Sequence, residues 1–251
     1  MHWSFTAWIQ KGIAWNFGQM KMGMGAAWMS DFSIRTMLQQ LPYFAHVAEP
    51  ILNELAQQAV NCTFVPNEMI FLEGEPSAGL WLVENGRIKA SKLSPDGQEY
   101  ILRFFGPGDT FNDLAALDNA PNAASTTSVT AVSAWVMPTA VFTQALQADH
   151  ELALAVLQSM IGRVRHLVGQ VEDLALRPVT ARLARFLLEQ VADSTLAHPA
   201  ITRALIANHL ATTPESISRS LRVLEKAGTI RFDRHRIIIV KPDILRQQAL
   251  L

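Results

Sequence analysis

Cysteine is nearly absent from this 251-residue chain: Cys62 is the only one. A single thiol closes no intramolecular disulfide, which removes the stapled secreted domains and points to the cytoplasm. Long apolar stretches are missing too, since no run approaches the ~18 residues of a membrane span. Met1–Met29 also lacks the continuous apolar region and cleavage site of a secretory leader; it is rich in Trp, Met and Gly, with only Lys11 and Lys21 charged. We read it as weakly ordered or as the product of an upstream start codon, with Met29-Ser30-Asp31 as an alternative start. There is no P-loop, no His-Glu-x-x-His, no nucleophile elbow and no cysteine cluster, so nothing in the residues argues for an enzyme. Asp109 and Asp113 are close in sequence, but among turn residues rather than as an acid/base pair.

Net charge is also scarce, at −1, yet its distribution is uneven. Residues 177–251 hold 12 Lys and Arg against 6 Asp and Glu, a net of +6; residues 1–176 hold 9 against 16, a net of −7. A basic C-terminal module suits a phosphate backbone, which supplies affinity without sequence information.

What the chain does contain is a sequence of distinct patterns. Residues 34–60 read as one or two amphipathic helices (Met37, Leu38, Leu41, Phe44, then Ile51, Leu52, Leu55, Ala59), with Pro42 and Pro50 at their boundaries. From Cys62 to about Pro138, alternating runs are separated by turn signals at Glu73-Gly74-Glu75-Pro76, Asn85-Gly86, Pro95-Asp96-Gly97 and Gly106-Pro107-Gly108-Asp109. The runs Leu80–Val83, Ile88–Leu93, Tyr100–Phe105 and Val129–Met137 are expected strands, with Asn-Gly and Asp-Gly as hairpin signals. Turns every ~10 residues indicate a sandwich or barrel, of which a jelly roll is one. Helix returns from Ala140 to Leu176, where Leu154, Leu157, Ile161, Val164, Val168 and Val171 follow a 3,4,3,4,3 spacing. That is a coiled-coil seam of about three heptads, and it predicts a homodimer. Arg177-Pro178 ends the seam, and proline there marks a hinge or a new helix start.

The stretch Ile201–Lys241 is the most telling. Two short helical patterns flank Thr212-Thr213-Pro214; Gly228 then stops the second, and two short strands follow. This is the order of a winged helix-turn-helix, whose second helix sets its N-terminal residues against base edges in the major groove. Here those residues include Glu215, Ser216, Ser218 and Arg219.

Taken in order, these pieces resemble the Crp/Fnr family of bacterial transcription regulators over roughly residues 36–245. The resemblance rests on Gly74-Glu75-Pro76, Gly86-Arg87-Ile88-Lys89, Gly106-Pro107-Gly108-Asp109 and Glu215-Ser216-Ile217-Ser218-Arg219. It implies an α+β chain: a weakly ordered or non-native extension (1–35), a cyclic-nucleotide-binding-like β-roll of jelly-roll type for effectors (36–145), a dimerisation helix (146–176) and a winged helix-turn-helix (177–251). It also implies a homodimeric DNA-binding regulator that contacts RNA polymerase. An alternative is a ligand-binding module that controls a protein partner without reading DNA.

By resemblance, the Glu-x-x-Ser-Arg pattern places Glu215, Ser218 and Arg219 on base edges. The chemistry agrees: arginine bonds guanine bidentately, glutamate accepts from cytosine N4, and serine is permissive. At i, i+3 and i+4 the three share one helix face. The Fnr branch implies TTGAT-like half-sites in an inverted repeat. Thr202, Arg203, Ser216, Arg222, Lys226, Arg236 and the neighbouring wing-turn residue His235 are expected at the DNA backbone; Leu221 and Leu224 belong to the core.

In cyclic-nucleotide binders of the family, a Gly-Glu pair meets the ribose and an Arg-Ser pair the cyclic phosphate. Asn112-Asp113 stands at the first pair, and a ten-residue count puts Ala123 and Ala124 at the second. Leu167 and Val168 align with the polar positions that meet the adenine. A cyclic phosphate without a nearby cation would be desolvated and unpaired, so cyclic AMP is not the expected effector. One cysteine also excludes a four-cysteine [4Fe–4S] cluster within a chain. The Pro95–Glu99 and Asn119–Asn122 loops resemble the Dnr-type branch, which is linked to haem and nitric oxide. His166, His46 and Cys62 are then the candidate haem ligands.

Overall fold

The computed structural model describes residues 27–41, 43–44, 47–192, 200–233 and 237–249. Two helices open the chain, α1 (Ala27–Gln40) and α2 (Glu49–Gln58), with Pro50 in the first turn of α2, where a missing N–H breaks no bond. Ile34 and Leu38 are fully buried against the β-roll, and Arg35 pairs with Glu49 at 2.8 Å. The domain therefore begins before the expected boundary at residue 36.

The β-roll is two four-stranded antiparallel sheets. One runs β1 (Val60–Phe64), β8 (Val132–Pro138), β3 (Gly79–Asn85), β6 (Thr110–Phe111); the other runs β2 (Met69–Phe71), β7 (Ser125–Ser128), β4 (Ile88–Leu93), β5 (Glu99–Phe105). Asp96-Gly97 closes the β4–β5 hairpin, whose register pairs Leu93 with Glu99. Asn85-Gly86 closes no hairpin: β3 lies in one sheet and β4 in the other, so this turn carries the chain across the sandwich. Gly86 has φ +89, and a Cβ there would sit 2.1 Å from Ala131 O, so the crossing admits only glycine. The expected strand Val129–Met137 starts later, at Val132, and a separate polar strand, β7, precedes it.

Strand β3 shows why the sandwich holds. Its Leu-Trp-Leu-Val run is buried on both faces, as an interior strand requires. Leu80 and Leu82 point to the helices, and Trp81 and Val83 into the gap between sheets. In that gap Trp81 stacks on Phe111 at 5.6 Å, and Phe111 in turn meets Phe71 and Phe105. Cys62 is buried in the same core, and desolvation pushes its thiol up to about 11.

A short helix, α3 (Asp113–Asp118), interrupts the roll between β6 and β7. After the roll come α4 (Thr139–Ala148) and α5 (His150–Leu176). The dimerisation helix expected from residue 146 thus starts at His150, because Asp149 is extended and its carboxylate accepts from Leu152 N at 3.0 Å. Leu152 and Val156 anchor the first turns of α5 in the core. Arg177 ends α5, with its guanidinium 2.7 Å from Ala249 O and 2.9 Å from Asp173.

The last domain holds α6 (Val179–Ala192), α7 (Arg203–His209), α8 (Pro214–Lys226), strands β9 (Ile230–Phe232) and β10 (Ile237–Ile239), and α9 (Pro242–Gln248). Leu183, Phe186 and Leu187 of α6 pack on Ile206 of α7, Ile217, Leu221 and Leu224 of α8, and Leu245 of α9. Gly228, at φ +69, ends α8 in the left-handed conformation that glycine adopts without strain. The strands pair antiparallel as the wing. Among the described residues no helix is long and apolar enough to cross a membrane.

Candidate nucleic-acid interface and sensor pocket

Helix α8 is built for presentation. Thr213 caps it, its hydroxyl accepting from Ser216 N at 3.3 Å, and Pro214 fills the first helical position. Ile217, Leu221 and Leu224 are buried on one side. Glu215, Arg219, Arg222 and Lys226 are exposed, with Ser218 partly so. Backbone hydrogen bonding at the helix start and the Thr213 hydroxyl hold the Glu215 carboxyl below the usual range, so it is an anion at neutral pH.

Among the expected backbone contacts, Thr202 is the N-cap of α7 and accepts from Leu205 N at 3.3 Å, which occupies its hydroxyl oxygen. Arg203 lies over the Phe232 ring at 5.2 Å and donates to Asp233 O at 3.0 Å. That arginine braces the wing. Ser216 stays partly exposed beside Thr213. Arg236, His235 and His46 lie outside the described residues.

The seam positions Leu154, Leu157, Ile161, Val164, Val168 and Val171 lie along α5 between 39% and 66% exposed. Leu167 is similarly open. A continuous aliphatic stripe is thus left uncovered within the chain.

In the pocket region Asn112 has a left-handed backbone and begins α3. Its amide donates to Ser77 Oγ at 3.0 Å and to Asn122 Oδ1 at 2.9 Å. Asn122 is buried and donates in turn to Leu72 O at 3.2 Å. The residue that faces Asn112 is therefore Asn122; Ala123 is exposed and Ala124 only partly buried. The ten-residue count from Asp113 reaches Ala123, whereas the residue bonded to Asn112 is Asn122, ten residues after Asn112 itself.

Asp113 is buried and ion-paired to Arg163 of α5. Burial raises its pKa against the lowering pull of Arg163. The same guanidinium reaches Tyr43 OH at 3.1 Å and Thr110 O at 3.2 Å, and Tyr43 OH also bonds Thr110 Oγ1 and Ser159 Oγ at 3.0 Å. This network joins the N-terminal helical region, β6, α3 and α5, and little in the sequence signals it. Tyr43 is one of two tyrosines, and Arg163 reads as one more polar residue beside the seam.

His166 is exposed on α5 and lines a cleft of about 50 Å³ with Tyr100, Asp173, Arg182 and His209. Cys62, buried with a raised pKa, is a poor thiolate donor. Among the described residues no group of three or more His, Cys, Asp or Glu could hold a metal ion.

Two family models match the chain: the Cyclic nucleotide-binding domain over residues 62–149 and the Crp-like helix-turn-helix domain over 181–248. The CRP-like cAMP-activated global transcriptional regulator of Mycobacterium tuberculosis is 25% identical over 220 residues, 85% of this chain and 98% of that protein. FixK2 from Bradyrhizobium japonicum shares the fold at TM-score 0.69 and 24% identity, over 76% of this chain and 96% of its own. A CRP-family transcriptional regulator from Thermus thermophilus matches at TM-score 0.61 and 25% identity, over 75% of this chain and 96% of its own.

Proposed function

The chain belongs to the Crp/Fnr family of transcriptional regulators, DNA-binding proteins and not enzymes, and from that premise we propose that it acts as a homodimer reading an inverted repeat of TTGAT-like half-sites. The observation that carries this reading is the free face of α8, where Glu215, Ser218 and Arg219 stand together on a well-capped helix. Arg222 and Lys226, on the same helix, supply phosphate contacts. The stripe on α5 supports twofold pairing, which sets two reading helices one DNA turn apart. Bound at a promoter, the dimer contacts RNA polymerase or blocks it. The test is a titration of the purified chain against a duplex bearing the palindrome. Saturation at two chains per duplex supports the reading, and equal affinity for a scrambled duplex overturns it.

We propose further that cyclic nucleotides are not its effectors. Asn112 and Asn122 are bonded to each other, both are neutral, and Arg163 is engaged by Asp113. A cyclic phosphate entering here would displace made hydrogen bonds and find no uncommitted cation in that set. Calorimetry with cyclic AMP should show no heat of binding up to millimolar concentration; micromolar binding would contradict the proposal. An effector of another class would act by favouring one arrangement of α5 and the Arg177-Pro178 hinge over another.

A further inference from the structure

The hinge is not the only connection between sensor and reading domains. Asn208 Nδ2, near the end of α7, donates to Glu99 Oε2 at 3.2 Å. Glu99 opens β5, and its carboxylate is gripped from β4 by Lys89 Nζ at 2.7 Å. The next residue after Asn208, His209, has Nδ1 3.0 Å from Ile101 O. A carbonyl only accepts, so Nδ1 carries the proton and the neutral ring keeps Nε2 bare. The imidazole lies between Phe104 of β5 and Phe186 of α6, with centroids at 5.5 and 5.3 Å. This junction lies at the C-terminal end of α7, while Glu215, Arg219 and Arg222 of α8 remain exposed. The docked arrangement thus leaves the reading face free.

We propose that the β4–β5 hairpin is a strut that holds the reading domain in its DNA-competent pose through Asn208 and His209, and that protonation of His209 releases it. The proposal rests on the DNA-reading function put forward above. Burial holds His209 below the ordinary histidine value of 6.5, helped by the nearby His166 and opposed by the Ile101 carbonyl and Glu189. The other charged or titratable groups in the cleft are Tyr100 of β5, Asp173 of α5, and Arg182 and Arg185 of α6. Arg185 bonds both Asp173 at 3.2 Å and Glu189 at 3.3 Å, which blunts the carboxylates' support for an imidazolium. A released domain returns the ring to water and to its ordinary value. The docked state therefore binds fewer protons; docking is at full strength above 6.5 and is lost as pH falls from there through the depressed value.

The full chain supplies two readouts. NMR titration of the histidine rings, without DNA, should show His209 depressed in the parent and moved back toward the ordinary value in Glu99→Gln/Asn208→Ala. An undepressed His209 in the parent, or one unmoved in the double variant, overturns the strut whether or not the protein binds DNA. In the second readout, anisotropy with the palindromic duplex at pH 7.5 and 5.5, the double variant should bind severalfold more weakly than the parent at pH 7.5 while its circular dichroism shows it still folded. His209→Phe, which keeps the aromatic sandwich, should lose markedly less affinity on acidification than the parent. Coincident pH profiles of parent and His209→Phe contradict the proposal. Failure of the parent to bind any duplex would instead defeat the DNA-reading proposal, leaving the NMR result to decide on the strut.

Discussion

Two arginines separate affinity from architecture. Arg219 is exposed and, in the proposed reading, meets a base edge. Arg219→Ala should erase the preference for the palindrome over scrambled DNA, a loss of about 1–3 kcal/mol per half-site, with melting unchanged. Competition binding checks this, and preserved discrimination would defeat the assignment. Arg163 does the opposite. Arg163→Met leaves the Asp113 carboxylate buried without its cation, a cost of about 3–5 kcal/mol. Without that cation the Asp113 pKa rises further, so the folded variant takes up a proton more readily than its unfolded chain. The penalty is full at neutral pH and shrinks as pH falls through the raised value toward 3.8. Denaturation of parent and variant at pH 7 and pH 4.5 should show the gap narrowing. Cys62 offers a third check: with its thiol pushed up to about 11 and no exposure to speak of, it should resist thiol reagents at pH 8 until the chain unfolds. The shared face of Glu215, Ser218 and Arg219 was legible from helical spacing, whereas their choice as base contacts comes from the Glu-x-x-Ser-Arg resemblance. Asn122 was not, because nothing in the sequence marks a buried side-chain amide as the partner of Asn112. Nor was Arg163, whose partners Asp113, Thr110 and Tyr43 are remote in the chain.

At the scale of elements, α5 is the decisive one. Its stripe was readable as a heptad, and the structure leaves it uncovered. Ile161→Asp or Val164→Asp should dissociate the proposed dimer, since a carboxylate in a closed seam is desolvated without a partner. Sedimentation equilibrium would show monomer for the variant and dimer for the parent; monomer for both would contradict the seam. Strands were less legible than helices. Asp96-Gly97 closes a hairpin as its turn chemistry implies, whereas Asn85-Gly86, with similar chemistry, passes the chain between sheets. A turn dipeptide specifies a local reversal; which sheet receives the next strand is decided by burial of Ile88 and Phe105 across the gap. Strand β7, Ser-Thr-Thr-Ser, carries no apolar alternation to mark it as a strand. The break at Asp149 was hidden because apolar residues on both sides continue a helical pattern, while the aspartate caps the second helix.

The whole molecule is a sandwich, a long helix and a reading domain whose charges oppose one another along the chain. The concentration of positive charge after residue 176 should make duplex binding strongly salt-dependent, with log affinity falling linearly in log salt. In the proposed account, an effector on the β-roll would reach the reading domain by two routes, through α5 and its hinge and through the β4–β5 hairpin, both of which contact it. The central claim is that this assembly reads sequence, and selection from a library of random duplexes tests it without assuming a site. We expect enrichment of an inverted repeat with TTGAT-like half-sites, one guanine of which loses its enrichment in Arg219→Ala. A bound pool no different in sequence from the starting library would contradict it.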